Sequence, residues 1–210
     1  MTSVCELGDE SMPASENAVE QDGRIARGER MKEAILKTTM AIVKEGNLIP
    51  SAAQIAARAD VNIRSVFRHF DDMENLHIAF DQLLQDDLEH EFPGGIPSVD
   101  SGAPLTERIA QLIDLRSFIW EHHENIILST QAQLWRSKAL RKNYARHQSS
   151  LRQEADSWLP ELKGLDRTAR DSANAIVSFE MWHRLRRHQG LGKPQATKVI
   201  SSMLGAVFGL

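Results

Sequence analysis

Arg64, Ser65, Arg68 and His69 stand close together in the chain, and each can donate a hydrogen bond to a phosphate oxygen or to a base edge. Their spacing exposes them on one short helix to which Val66, Phe67 and Phe70 add apolar and aromatic bulk. Asn62 is a good N-cap for that helix, with Ser65 three residues on. Ser51 and Gln54 have the spacing of a capping box, which satisfies two orphan backbone donors at the start of a helix. A compact alanine-rich helix then runs from Ala52 to Ala59, Asp60 stands where the chain must turn, and Val61 offers an apolar plug. A helix, a turn of three or four residues and a second helix with a cationic N-terminal half make a helix-turn-helix over about 51–70, because the second helix must enter the major groove.

Charge distribution agrees with this chemistry although net charge does not. The 210 residues carry a formal charge of −4, which is poor for a polyanion binder. Residues 1–23 hold six acids and no Lys or Arg, whereas residues 24–70 hold nine bases against four acids. The positive charge is therefore concentrated around the candidate DNA-reading unit, as an electrostatic footprint on phosphate requires. Arg24, Arg27 and Arg30 precede it on a helix. They read either as a solvated helix start or as phosphate contacts that set register.

Other chemistries find little support. His122 and His123 lie between Glu121 and Glu124, but adjacent residues on a helix point about 100° apart and do not easily share an ion. No spaced metal set, nucleophile with a partnered base or phosphate-cradling glycine loop is present, so neither an enzyme, a metal nor a cofactor is implied. A rival reading is a small-molecule-binding or enzymatic helical protein with weak or lost DNA binding, above all a sensor acting through a protein partner; His122, His123, His147 and Glu180 are then the residues to inspect. The single cysteine, Cys5, excludes an internal disulfide framework. No apolar run approaches a membrane span and no signal peptide is evident, which points to a soluble cytoplasmic protein with no membrane partner.

The elements that must position the unit are helices, since apolar residues recur at three and four. Residues 1–23 read as a disordered acidic tail. A helix follows to about Glu45, with Ile35, Ile42 and Val43 inward and Gly46 as its stop. After the unit, Asp71, Asp72 and Glu74 suit a new helix start, and Leu76, Phe80, Leu83, Leu84 and Leu88 give that helix an apolar side up to about Phe92. Residues 92–104 form a glycine- and proline-rich loop. Leu105 to about Asn125 is helical, and Ile126 to Trp135 continues as a second apolar segment. Arg136 to Arg152 is basic without an acid, but Leu140, Tyr144, His147, Leu151, Ala155 and Trp158 share one face, so the bases read as its solvated side. Asp166 caps a long helix to about His188, and Pro194 opens the last one. Both carry two apolar stripes. Phe179, Trp182, Val199, Met203, Val207 and Leu210 are assigned to a dimer face on that ground.

The stretch IAARADVNIRSVFRHFDDMENL, residues 55–76, resembles the TetR family of bacterial transcriptional regulators in its Ile-Ala opening, its Val after the turn and its aromatic-x-His-Phe ending before Glu-x-Leu. The likeness is strong over about residues 30–85 and visible again at SFEMWHRLRRHQGL, residues 178–191. It implies an all-α subunit of nine or so helices: a three-helix DNA-binding head, placed at 24–85, and a ligand-sensing and dimerisation body at 86–210. It also implies a homodimer on a near-palindromic double-stranded operator, probed by Asn62, Ile63, Arg64 and Ser65 at the base-facing start of the recognition helix. By the same resemblance Phe67, Arg68 and His69 line the groove and backbone side and Ser51 falls where members touch phosphate, while the placement of Arg27 and Arg30 on the preceding helix makes them candidate phosphate contacts.

Three positions depart from the family pattern. Asp60 replaces a turn glycine, Arg64 replaces a small residue and can read guanine through a bidentate bond, and Met73 replaces a lysine, at the cost of a phosphate contact. The function implied is a repressor released from its operator by a small apolar or amphipathic ligand. Trp120, Trp135, Tyr144, Trp158 and Met181 are the candidate pocket residues.

Overall fold

The computed structural model describes residues 14–70, 74–76, 78, 79, 82, 92 and 102–210, with residues 14–24 described by backbone alone. The expectations for 1–13, for Asp71, Asp72, Met73, Phe80, Leu83, Leu84 and Leu88, and for most of the 92–104 loop lie outside these residues. The fold is all-α. Its elements are α1 (Ala14–Lys44), α2 (Ala52–Arg58), α3 (Ile63–His69), α4 (Leu105–Gln131), α5 (Lys138–Trp158), a 3-10 turn (Pro160–Gly164), α6 (Arg167–Ile176), α7 (Phe179–His183) running into a π-helical turn (Arg184–His188), and α8 (Lys193–Phe208). Helical residues at 74–76, 78, 79 and 82 lie between α3 and α4.

Two apolar cores organise these helices. In the N-terminal head, Ile35 and Ile42 of α1 meet Ile55 of α2, Val66 and Phe70 at α3, and Leu76. In the C-terminal body, α4, α5, α6, α7 and α8 enclose Leu112, Ile113, Trp120, Trp158, Trp182, Ile200 and Leu204. A small third cluster of Met40, Val43 and Ile126 joins α1 to α4. Hydrogen bonds reinforce that joint: Asn125 Nδ2 donates to the Lys44 carbonyl at 2.9 Å, and Ser129 Oγ to the Leu48 carbonyl at 2.6 Å. Backbone carbonyls at a helix end need such donors. Ser137 Oγ adds a 2.6 Å bond to Glu74.

The helix ends follow local chemistry where the sequence supplies it. Asp166 accepts the Ala169 N–H at 2.9 Å, Pro194 sits in the first turn of α8, and Gly209 closes α8 at φ +74°. Two boundaries differ from expectation. α1 begins at Ala14, so residues 14–23 continue the helix rather than belonging to a disordered tail; Ala14, Glu16, Ala18, Glu20 and Gln21 are good helix formers.

The single helix expected from Asp166 to His188 is two helices. Val177 leaves helical geometry at φ −93°, ψ 39°, and Ser178 caps α7 by accepting the Met181 N–H at 3.2 Å. The β-branched pair Ile176–Val177 is weakly helical, and Arg116 of α4 supplies a donor for the Val177 carbonyl at 2.5 Å. α4 itself bends at His123, whose φ of −108° and ψ of 15° fall where the sequence divides its two apolar segments. Among the described residues no helix is long and apolar enough to cross a membrane.

Candidate nucleic-acid interface

Helices as short as α2 and α3 do not persist alone in water. Their caps and shared core hold them. Ser51 Oγ accepts the Gln54 N–H at 3.3 Å while Gln54 Oε1 accepts the Ser51 N–H at 2.8 Å, so the box forms in both directions. Asn62 Oδ1 accepts the Arg64 N–H at 2.8 Å and starts α3. Between the helices Asp60 takes φ +53°, the one positive φ of a non-glycine side chain among the described residues. The Val61 N–H then reaches back to the Ala56 carbonyl at 3.0 Å.

The cations divide into two kinds. Arg58 is used inside the head: its two terminal nitrogens each meet a Glu45 oxygen at 2.5 Å, binding the end of α2 to the end of α1. That hydrogen-bonded pairing holds the Glu45 carboxyl below its ordinary range and the Arg58 guanidinium above its own. Lys37 is likewise paired with Glu33 at 2.6 Å. Arg27, Arg30, Arg64 and Arg68 are exposed, and among the described residues none of the four makes an ion pair.

The position of α1 relates these groups. A Cβ built on Gly28 would lie 3.9 Å from His69 Cε1, so the His69 ring rests on α1 between Arg27 and Arg30. The basic segment of α1 therefore flanks the C-terminal end of α3, while Arg64 marks its N-terminal end. His69 is half-buried by this packing. Ile63 and Phe67 are 41% and 46% exposed. Phe67 thus corrects the expectation that it joins Val66 and Phe70 in the apolar bulk: α3 turns Phe67 outward with Ile63, one turn away. Ser51, Asn62 and Ser65 lie at the two helix starts, and the Ser51 hydroxyl is occupied within its own cap, donating to Gln54 at 3.0 Å.

Of the expected pocket residues, Trp120, Trp158 and Met181 belong to one apolar cluster of the body, whereas Trp135 stands apart from it. Trp120 and Trp158 are 4% and 6% exposed within the body core, with Trp120 6.2 Å from the Trp182 ring. Trp135 is 79% exposed in the turn after α4. The Tyr144 hydroxyl meets Glu180 at 3.0 Å and accepts from Gln131 at 2.9 Å; burial pushes that phenol above its ordinary range. Met181 is half-buried beside the core. His147, expected on the packed face of α5, is exposed.

The residues expected at a dimer face divide between interior and surface. Phe179 and Trp182 are 5% and 2% exposed, hence interior residues of the subunit, because the break at Val177 turns α7 so that they pack on the body core. On α8, Ile200 and Leu204 are fully buried and Met203 and Leu210 exposed, while Val199 and Val207 are partly buried against the same core as Ile200 and Leu204. Among the described residues no three His, Cys, Asp or Glu side chains gather in a group that could hold a metal ion.

The crystal structure of the multidrug binding protein EbrR complexed with imidazole superposes on this chain with a TM-score of 0.57, covering 85% of this chain and 89% of that one at 18% sequence identity. The two chains share a fold. No protein-family model and no curated protein matches the sequence. The likeness covers 85% of this chain and concerns the fold.

Several structurally decisive residues carry no local sequence signal. Glu45 and Arg58 are thirteen residues apart across a loop. Asn125 and Ser129 reach the end of α1 and the loop after it from eighty-one residues away. Nothing in their spacing marks them, because their partners are backbone carbonyls brought near by tertiary packing.

Proposed function

We propose that the chain is a sequence-specific DNA-binding transcriptional regulator of the TetR type, acting as a homodimeric repressor that a small ligand releases from its operator. The observation that carries this reading is the set of four exposed arginines, Arg27, Arg30, Arg64 and Arg68, which among the described residues make no ion pair and are disposed around the capped helix α3. Cations left without acids inside a folded head are available to phosphates and base edges, and counterion release then supplies affinity. Residues 24–85 form the DNA-binding unit in this reading, and 86–210 the sensing and dimerisation unit.

Two copies would join through the outer side of α8, at Val199, Met203, Val207 and Leu210. Dimerisation sets two recognition helices roughly 34 Å apart or somewhat more, on successive major-groove faces of a near-palindrome. Ligand control would run through the joint between α4 and α1, where Asn125 holds the Lys44 carbonyl at the end of α1 and Ser129 the Leu48 carbonyl in the loop after it. A ligand that binds one α4 conformation better than the other shifts the head by that difference in affinity. EbrR is a multidrug binding protein, which supports a small-molecule role for the shared fold.

Selection of bound sequences from a random DNA pool tests the proposal. The expected result is enrichment of one near-palindromic sequence with half-sites about one helical turn or more apart. A pool that shows no enrichment over the input would overturn it.

A further inference from the structure

The helix that leaves the head and helix α5 of the body face each other across a cleft of about 600 Å³, with Asn75, Ile78 and Gln82 on one wall and Asn143, Arg146 and Ser150 on the other. That volume lies in the range of small-molecule sites. Ala79 and His147 complete the lining, and none of the aromatic residues expected in a pocket takes part. The chemistry of the cleft is uneven. Ile78 and Ala79 offer an apolar strip, Ser150 adds a hydroxyl, and Arg146 contributes a full positive charge.

Nothing on the α5 wall neutralises that charge. From Arg136 to Arg152 the chain has six Lys and Arg and no acid. Arg146 Nη2 donates to Asn143 Oδ1, one turn earlier on α5. This bond holds the guanidinium at the cleft, and among the described residues its other N–H groups meet no acid, in the planar arrangement that suits a carboxylate, sulfonate or phosphate. The opposite wall reaches the head directly, because Leu76, between Asn75 and Ile78, is completely buried in the head core.

We infer that this cleft is a binding site for a small amphipathic organic anion, whose acid group pairs with Arg146 and whose apolar part lies on Ile78 and Ala79. The inference deepens the ligand half of the proposed function and rests on it for any effect on DNA, while binding in the cleft stands independently of DNA. An occupant touches α5 and the helix that continues into the head core, so a bulkier occupant pries the two apart.

Fluorescence titration of the full chain with 8-anilinonaphthalene-1-sulfonate, an anionic aryl probe, and with the uncharged N-phenyl-1-naphthylamine tests the site. Arg146→Gln is expected to weaken the anionic probe about tenfold and to leave the neutral one unchanged, the scale of one charge-assisted contact. Ser150→Glu, which adds an acid to the same wall, should act in the same direction. Both positions are exposed, so neither substitution removes a buried contact. Failure of the unmodified chain to bind the anionic probe, or unchanged affinity in both variants, would overturn the inference. Those results with operator selection intact sink the cleft alone; anion binding that depends on Arg146 in a chain that enriches no DNA sinks the regulator reading alone.

Discussion

The Arg116 guanidinium, on the buried side of α4, donates to the Val177 carbonyl at 2.5 Å, at the point where α6 ends and α7 begins. It also donates to the Leu151 carbonyl at 2.5 Å and to Glu154 at 3.0 Å, so one side chain joins α4, α5 and the α6–α7 break. Burial pulls the guanidinium below its ordinary range, and Glu154 opposes that effect. A buried cation is tolerated only while its partners satisfy it. Arg116→Met should therefore destabilise the chain by about 3 to 5 kcal/mol, because it strands Glu154 and two carbonyls. Adding Glu154→Leu should recover part of that loss in denaturant titration. A single variant as stable as the parent would show that the three helices are held together without this residue.

Asp60 tests the turn between α2 and α3. Its φ of +53° is costly for a residue with a Cβ, less so for Asp, whose short polar side chain bonds locally. Asp60→Val should cost about 1 to 2 kcal/mol of stability and Asp60→Gly much less, since glycine adopts this region freely. Thermal unfolding of the two variants checks the order. Equal losses would mean that the Asp side chain, and not the backbone conformation, is what the turn requires.

What was legible in the sequence was what is local. Ser51 with Gln54, Asn62, Asp60 and Asp166 each announce a helix start or a turn within three or four residues of themselves, and each does so in the structure. The all-α fold followed from periodicity. The break at Val177 was not legible, because the group that accommodates it is Arg116, sixty-one residues away. That break in turn moved Phe179 and Trp182 to the interior. Trp135 and Phe67 have the composition of core residues and are exposed because of where their helices end or turn. At the candidate interface the arginines were legible as charge, while the distinction between Arg58, spent on Glu45, and Arg64 or Arg68, without an ion pair among the described residues, needed the tertiary arrangement.

Acid should loosen the contact between α4 and the π-helical turn. Hydrogen bonding from Arg187, with a smaller contribution from His183, holds the Glu124 carboxyl below the ordinary glutamate value of 4.5. A carboxylate whose folded value is depressed stabilises the fold above its unfolded value, and that contribution disappears as pH falls through the folded one. Glu124→Gln should thus cost about 1 kcal/mol at pH 7, the scale of a partly exposed pair. The gap between variant and parent should close as pH drops below the ordinary glutamate range. A gap that stayed constant from neutral to acid pH would assign the loss to packing instead of charge.

For the proposed dimer, Met203 and Trp182 make contrasting probes. Met203 is 36% exposed on α8 and Trp182 2% exposed in the body core. Met203→Asp should give a folded monomer in sedimentation, since a charge on a helix face that docks against its own copy opposes the contact. Trp182→Asp should instead unfold the subunit, because it buries an unpaired charge. A Met203→Asp chain that sediments as the parent does would remove α8 from the interface.

Arg64 and Arg30 separate reading from holding. Both are exposed and without an ion pair among the described residues, but Arg64 stands at the N-terminal end of α3, whereas Arg30 lies on α1 beside its C-terminal end. A long planar donor at the start of a recognition helix can meet guanine in two bonds, so Arg64→Ala should cost about 1 to 3 kcal/mol at the selected site and relax preference at one base position. A phosphate contact carries no base information. Arg30→Ala should therefore weaken all sequences alike and make the log-log salt slope shallower by about 0.9. Binding-site selection with each variant, repeated at two salt concentrations, distinguishes the roles. If Arg64→Ala left the selected sequence unaltered while lowering the salt slope as Arg30→Ala does, Arg64 would be a phosphate anchor, and base preference would have to come from Asn62, Ser65 or the exposed Phe67.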